Sequence, residues 1–119
     1  MQIPTFLLRK LYVKGSLENV DDGFQFKIKN SLSKATVTGV DPIKVDGKEY
    51  PLDATVVASG GNEVAGNEIS EENSFPIEGG VEVTIRIKGE QLSPSEHTID
   101  IGLATVQAGN LSFDVKDTI

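Results

Sequence analysis

The sequence predicts an all-β fold, a single antiparallel β-sandwich of about seven to nine short strands, and three observations carry that prediction. Apolar residues recur with period two in several separate runs. Val, Ile and Thr together number 30 against 15 for Ala and Leu, and β-branched side chains suit a pleated surface better than a helix. Gly, Asp, Asn and Pro cluster between the runs at the short, regular spacing of hairpin turns.

Taken in order, Pro4 to Lys10 has room for one or two helical turns, too short to stand alone. A strand is expected from Leu11 to Asn19, and Asp21-Asp22-Gly23 turns the chain, its Gly supplying the positive φ. Phe24, Phe26 and Ile28 then alternate with Gln25, Lys27 and Lys29. Asp46-Gly47, between Ile43-Lys44-Val45 and Lys48-Glu49-Tyr50, is the strongest local signal and predicts a type I′ hairpin. Pro42 and Pro51 bracket that hairpin, which places it at a sheet edge or makes it short. The acidic, unpatterned stretch from Gly60 to Gly80 reads as a long loop, with a short turn at Ser70-Glu71-Glu72-Asn73. Val81, Val83, Ile85 and Ile87 form the clearest half-buried strand, and Ser93-Pro94-Ser95 turns into Ile99, Ile101 and Leu103. Ala108-Gly109-Asn110 reverses the chain into Leu111, Phe113 and Val115.

The 119 residues make one domain, since a chain of this size closes around one core. The absence of Cys excludes disulfides, thiol nucleophiles and thiolate metal sites, and one His leaves too few imidazoles for a His-rich zinc centre. With no apolar run near the ~18 residues of a membrane span and no secretory start, the expectation is a soluble cytoplasmic protein. Residues 1–48 carry eight bases against five acids, whereas residues 49–119 carry three against thirteen, and no base occurs between Lys48 and Arg86. Such an acidic chain repels phosphate backbones and anionic lipid, so neither nucleic acid nor membrane is an expected partner.

His97 is the one imidazole and falls in phase with Ile99, Ile101 and Leu103, at the start of a strand and pointing toward the core. That parity favours a structural His bonded to backbone or water over a general base, which needs an accessible pocket and a polar partner. Asp21-Asp22 and Glu71-Glu72 are adjacent pairs, which suits turns and caps better than the separated carboxyls of glycoside chemistry or the alternating acids of a calcium loop. No phosphate-binding, nucleophile-elbow or zinc-helix motif is present, and no cofactor or metal is expected. The better candidate is residues 1–10, an apolar docking arm continuing into the first strand: Ile3, Phe6, Leu7, Leu8, Leu11 and Tyr12 gather greasy surface beside Arg9 and Lys10. Packing across the open end of the sandwich and docking onto a partner chain are the two readings of it.

Three stretches carry a family resemblance. Val45-Asp46-Gly47-Lys48-Glu49-Tyr50-Pro51, Val81-Glu82-Val83-Thr84-Ile85 and Leu92-Ser93-Pro94-Ser95-Glu96-His97-Thr98-Ile99 resemble the small β subunit of C-glycoside deglycosidases, as does the turn Asp22-Gly23-Phe24. Ser95 stands where that family tends to have Gly. The resemblance implies a β-sandwich packed against a larger metal-dependent barrel enzyme of the sugar-isomerase type that holds the metal and the base. Pro4 to Gly23 also resembles short microbial chains labelled hydroxymethylglutaryl-CoA reductase. That label implies a large nicotinamide-dependent enzyme, and this chain has neither a nucleotide fingerprint nor a catalytic His with paired acids, so the label is set aside. The expected role is a non-catalytic accessory or interaction subunit of a larger enzyme, with self-association as a further expectation. The alternatives are a stand-alone carbohydrate- or protein-binding sandwich, with only Tyr12 and Tyr50 as ring donors besides Phe, and a small enzyme using His97 with the acids of residues 63–82.

Overall fold

The computed structural model describes residues 3–31 and 33–119. Two antiparallel sheets stack face to face, and the expected sandwich is what forms. A short helix α1 (Thr5–Arg9) leads into β1 (Glu18–Val20), β2 (Gly23–Lys29), β3 (Ala35–Val40), β4 (Lys44–Val45) and β5 (Lys48–Glu49). There follow β6 (Thr55–Ser59), β7 (Asn62–Ala65), β8 (Phe75–Ile77), β9 (Glu82–Lys88), β10 (Glu96–Thr105) and β11 (Gly109–Thr118). The first sheet has the order β1-β2-β9-β6-β7. In the second, β11 pairs along the whole of β10 on one side, while β4 and β3 share the other side end to end, flanked by β5 and β8.

The alternation sets which side chains meet between the sheets. Phe24 and Phe26 of β2 and Val83, Ile85 and Ile87 of β9 face Ile99 and Ile101 of β10 and Phe113 and Val115 of β11, all buried. Phe24, Phe26, Ile43, Ile87 and Ile99 are wholly enclosed, and burying a side chain of this size contributes about 1.5–3 kcal/mol. Phe24 meets Tyr50 edge-on with ring centres 5.2 Å apart, and Tyr12 packs on Phe26 at 5.9 Å. Asp46 and Gly47 both have positive φ, 53° and 84°, as the type I′ turn requires, and β5 lies at the sheet edge as its flanking prolines demand.

The structure departs from the sequence reading in four places. Eleven strands form among the described residues, rather than seven to nine, and β3, β6, β7 and β8 are the ones the sequence reading did not name, being three to six residues long without a clear alternation of apolar and polar residues. Leu11 to Ser16 is not strand: Tyr12 makes a single bridge to Ile28, and the chain then turns at Gly15 (φ 84°) before β1. Gly60 to Gly80 is not one loop. Gly60-Gly61 turns β6 into β7, whose exposed Asn62 and Glu63 hid the strand, and β8 pairs with β3 at the opposite sheet with Pro76 on its open edge. Finally, Gly23 lacks the positive φ expected of it. It is required for room, since a Cβ there would overlap the carbonyl oxygen of Ile87 on the neighbouring strand.

That crowding predicts that Gly23→Ala costs on the order of 2–4 kcal/mol, by urea denaturation, because backbone on both sides must shift. Gly60→Ala, at a turn with nothing within reach, meets only the left-handed φ and costs about 1 kcal/mol. Equal losses at the two positions would contradict the packing argument.

Candidate functional site

The buried charged side chains among the described residues, His97 and Asp117, lie at the end of the sandwich where β10 begins and β11 ends. His97 is 5% exposed and has both ring nitrogens engaged. Nδ1 lies 2.6 Å from Asp46 Oδ2 and Nε2 lies 2.8 Å from the Ser93 carbonyl oxygen, with Ser95 Oγ 3.4 Å from Nε2. A carboxylate and a carbonyl both accept, so each ring nitrogen donates and the ring is an imidazolium. The Ser93 carbonyl first, and then the Asp46 carboxylate, raise the His97 pKa above its ordinary 6.5 against the opposing effect of burial. Asp46 is held below the usual carboxylate value by the Thr98 N–H, which donates to Oδ1 at 2.9 Å, and by His97. The type I′ turn thus supplies an anion whose position is fixed by the strand it pairs beside.

Directly across the ladder from His97 stands Asp117, also buried. Its Oδ2 accepts the Tyr12 hydroxyl at 2.6 Å, the Gly15 N–H at 2.9 Å and the Leu17 N–H at 3.3 Å, and its Oδ1 accepts the Thr118 N–H at 2.9 Å. Burial pushes the Asp117 pKa up, but the hydrogen bonds led by Tyr12 outweigh it and leave the carboxyl ionised below its ordinary range. Burial and the same bond push the Tyr12 phenol well above its ordinary value, so it stays a donor. One carboxylate therefore ties the end of the chain to the segment that follows α1.

The arm candidates separate by burial. Leu8 and Tyr12 lie in the core, Leu7 and Leu11 are half-buried, and Phe6 is 62% exposed. Met1 and Gln2 of the expected arm lie outside the described residues. α1 packs against β11, and Arg9 donates from Nε to the Asp114 carbonyl at 2.9 Å and from Nη2 to Asp114 Oδ1 at 2.7 Å, which lowers the Asp114 pKa. α1 packs along this edge strand with Leu8 in the core, while Phe6 faces away from it. Asp21-Asp22 and Glu71-Glu72 are exposed turn residues, as expected. Among the described residues, no three His, Asp or Glu groups converge as metal ligands would. Both tyrosines are buried, so neither offers a ring face to a sugar.

Sequence reasoning placed His97 toward the core but missed its partner, because Asp46 reads as a turn residue and lies 51 positions away. It missed Asp117 as well, although a signal was present: the alternation of Phe113 and Val115 carries on to Asp117 and points a carboxylate inward.

Two outcomes follow from these contacts. Deleting residues 1–10 is expected to lower the melting temperature, because Leu8 leaves the core and the Arg9–Asp114 contact is lost. An unchanged melting temperature would contradict the packing. His97 binds its proton more tightly folded than unfolded, so its contribution is complete below pH 6.5 and is lost as pH rises through the raised folded value. For Asp46 and Asp117 the sign reverses: their contribution is present above pH 3.8 and lost as pH falls through their lowered values. Urea stability is expected to decline as pH rises above about 6.5, and His97→Gln removes that slope while costing about 1–3 kcal/mol at the lower pH.

A family model described as the hydroxymethylglutaryl-CoA reductase N-terminal domain matches residues 7–119. No curated protein matches the chain. The match corrects the setting aside of the reductase label: a domain described as N-terminal is under no obligation to carry the nucleotide fingerprint whose lack argued against it. Nothing in these comparisons supports the resemblance to the small subunit of C-glycoside deglycosidases. By a match spanning nearly all of its length, the chain belongs to the hydroxymethylglutaryl-CoA reductase N-terminal domain family.

Proposed function

We propose that the chain is a non-catalytic accessory module that works beside a larger catalytic polypeptide. The observation that carries this reading is the state of His97. General acid–base work needs a side chain that can give up and regain a proton next to a substrate. This imidazolium is buried and hydrogen-bonded at both nitrogens, bound to Asp46 and set across the ladder from Asp117, which holds Tyr12. The family description, which names a domain of a larger enzyme, supports the same reading.

The finer form of the proposal, a metal-dependent sugar-processing barrel as partner, rests on the hairpin Val45 to Pro51 and the turn Leu92 to Ile99. Those two stretches meet through the His97–Asp46 bond, so their likeness to the deglycosidase small subunit has a structural reason that is independent of any partner. The coarser form, a larger catalytic polypeptide of either kind, is therefore the one put forward. Self-association and a stand-alone binding role are the competing outcomes.

Co-expression with neighbouring gene products, followed by size-exclusion chromatography, is expected to show the chain co-eluting with a catalytic subunit. The chain alone is expected to show no NADPH oxidation with hydroxymethylglutaryl-CoA. Unaided turnover, or a monomer beside every candidate, would overturn the proposal.

A further inference from the structure

An aspartate followed by glycine can close on itself, because glycine leaves its amide nitrogen unshielded. That nitrogen attacks the aspartate Cγ, a C–N bond forms, and the carboxyl hydroxyl leaves as water with the amide proton. The five-membered imide then takes up water. Addition at the main-chain carbonyl opens the ring so that the chain runs through Cβ and Cγ, an isoaspartate of unchanged mass. Two such pairs occur here, Asp22-Gly23 and Asp46-Gly47.

The fold treats the two pairs differently. Gly23 is buried within the first sheet, opposite Val20 on one side and Lys88 on the other, and the Ile87 carbonyl fills the space beside it. The Asp22 carbonyl accepts the Gly89 N–H at 3.0 Å, so the peptide bond between Asp22 and Gly23 is fixed from both sides. Gly47 lies in an exposed turn. No acceptor among the described residues engages its N–H, and nothing stands within 4 Å of where a Cβ would be, which leaves room for the ring.

What restrains Asp46-Gly47 is its carboxylate. The Thr98 N–H donates to Oδ1 at 2.9 Å and His97 Nδ1 donates to Oδ2 at 2.6 Å. These bonds fix the orientation of Cγ and keep the group ionised, whereas ring closure needs a carboxyl free to turn toward the Gly47 nitrogen and to lose a hydroxyl as water. We propose that Asp46-Gly47 is a modification site, a turn that forms isoaspartate at a rate set by the His97 contact. The product undoes the contact that restrains it. The carboxylate moves from side chain to main chain, the backbone of the turn gains one atom, and His97 is left charged in the interior with its anion displaced. The site does not depend on the accessory role proposed above.

Peptide mapping with electron-transfer fragmentation, on the full chain aged in neutral buffer, tests it. In the wild type, isoaspartate is expected at position 46 ahead of position 22, and the aged sample melts below the fresh one. The His97→Gln amide still reaches toward the Ser93 carbonyl but no longer toward Asp46. It should speed the reaction at Asp46 about ten-fold, as expected from the loss of one charge-assisted hydrogen bond, and leave Asp22 unchanged. His97→Asn keeps a neutral donor near the Nδ1 position, so it gives a smaller rise, and it serves if the first variant fails to fold. Asp22 reports on unfolding throughout, since the chain aged in concentrated urea should react at both pairs. No isoaspartate at position 46 in the folded wild type, Asp22 keeping pace with Asp46 there, or a rate at Asp46 that does not rise in the folded variant would each overturn the proposal.

Discussion

A charged ring in an interior must be matched by an anion within hydrogen-bonding reach, and this constraint sets one end of the molecule. His97 is charged because both of its nitrogens face acceptors, and it is tolerated because Asp46 stands 2.6 Å away. Asp46 stands there because Asp46-Gly47 takes the left-handed turn that only such a pair adopts readily, with the Thr98 N–H holding the second carboxylate oxygen. A two-residue turn, a ten-residue strand and the loop before it are therefore one unit. Asp117, opposite His97 on the partner strand, extends that unit to Tyr12 and so to the start of the chain. Among the described residues the buried charges are His97 and Asp117, and they join segments 51 and 105 residues apart in sequence.

Period two made the sandwich legible, because each long strand has one wet and one dry face and five to seven residues are enough to display it. β2, β9, β10 and β11 were readable for that reason, as was the Asp46-Gly47 hairpin, whose backbone geometry is written into two residue types. β7 was not, since an edge strand with Asn62 and Glu63 in water looks like any polar loop. Gly23 was placed correctly and explained wrongly: its freedom from a Cβ serves the close approach of Ile87 and not an unusual dihedral. At the polar end, parity showed that His97 points inward, but not that its partner would come from a hairpin half the chain away. Sequence shows which way a side chain faces far more readily than it shows what it faces.

The two ends of the sandwich differ in how they are closed. At the start of β10 the interior is sealed by ionised groups with matched donors and acceptors, a rigid arrangement that loses a good deal if any member is removed. At its finish, half-buried Leu103 and Leu111 line a gap whose nearby hydroxyl and amide are satisfied by the protein's own groups.

The course of the arm beside β11 has a consequence for how the protein behaves in a crowded solution. β11 pairs with β10 along one margin only, and a ten-residue strand with a free margin is a template onto which another chain can add by cross-strand pairing. α1 lies against that strand, and Arg9 takes the Asp114 carbonyl for itself. α1 and Arg9 thereby cover part of a margin onto which another strand could otherwise add.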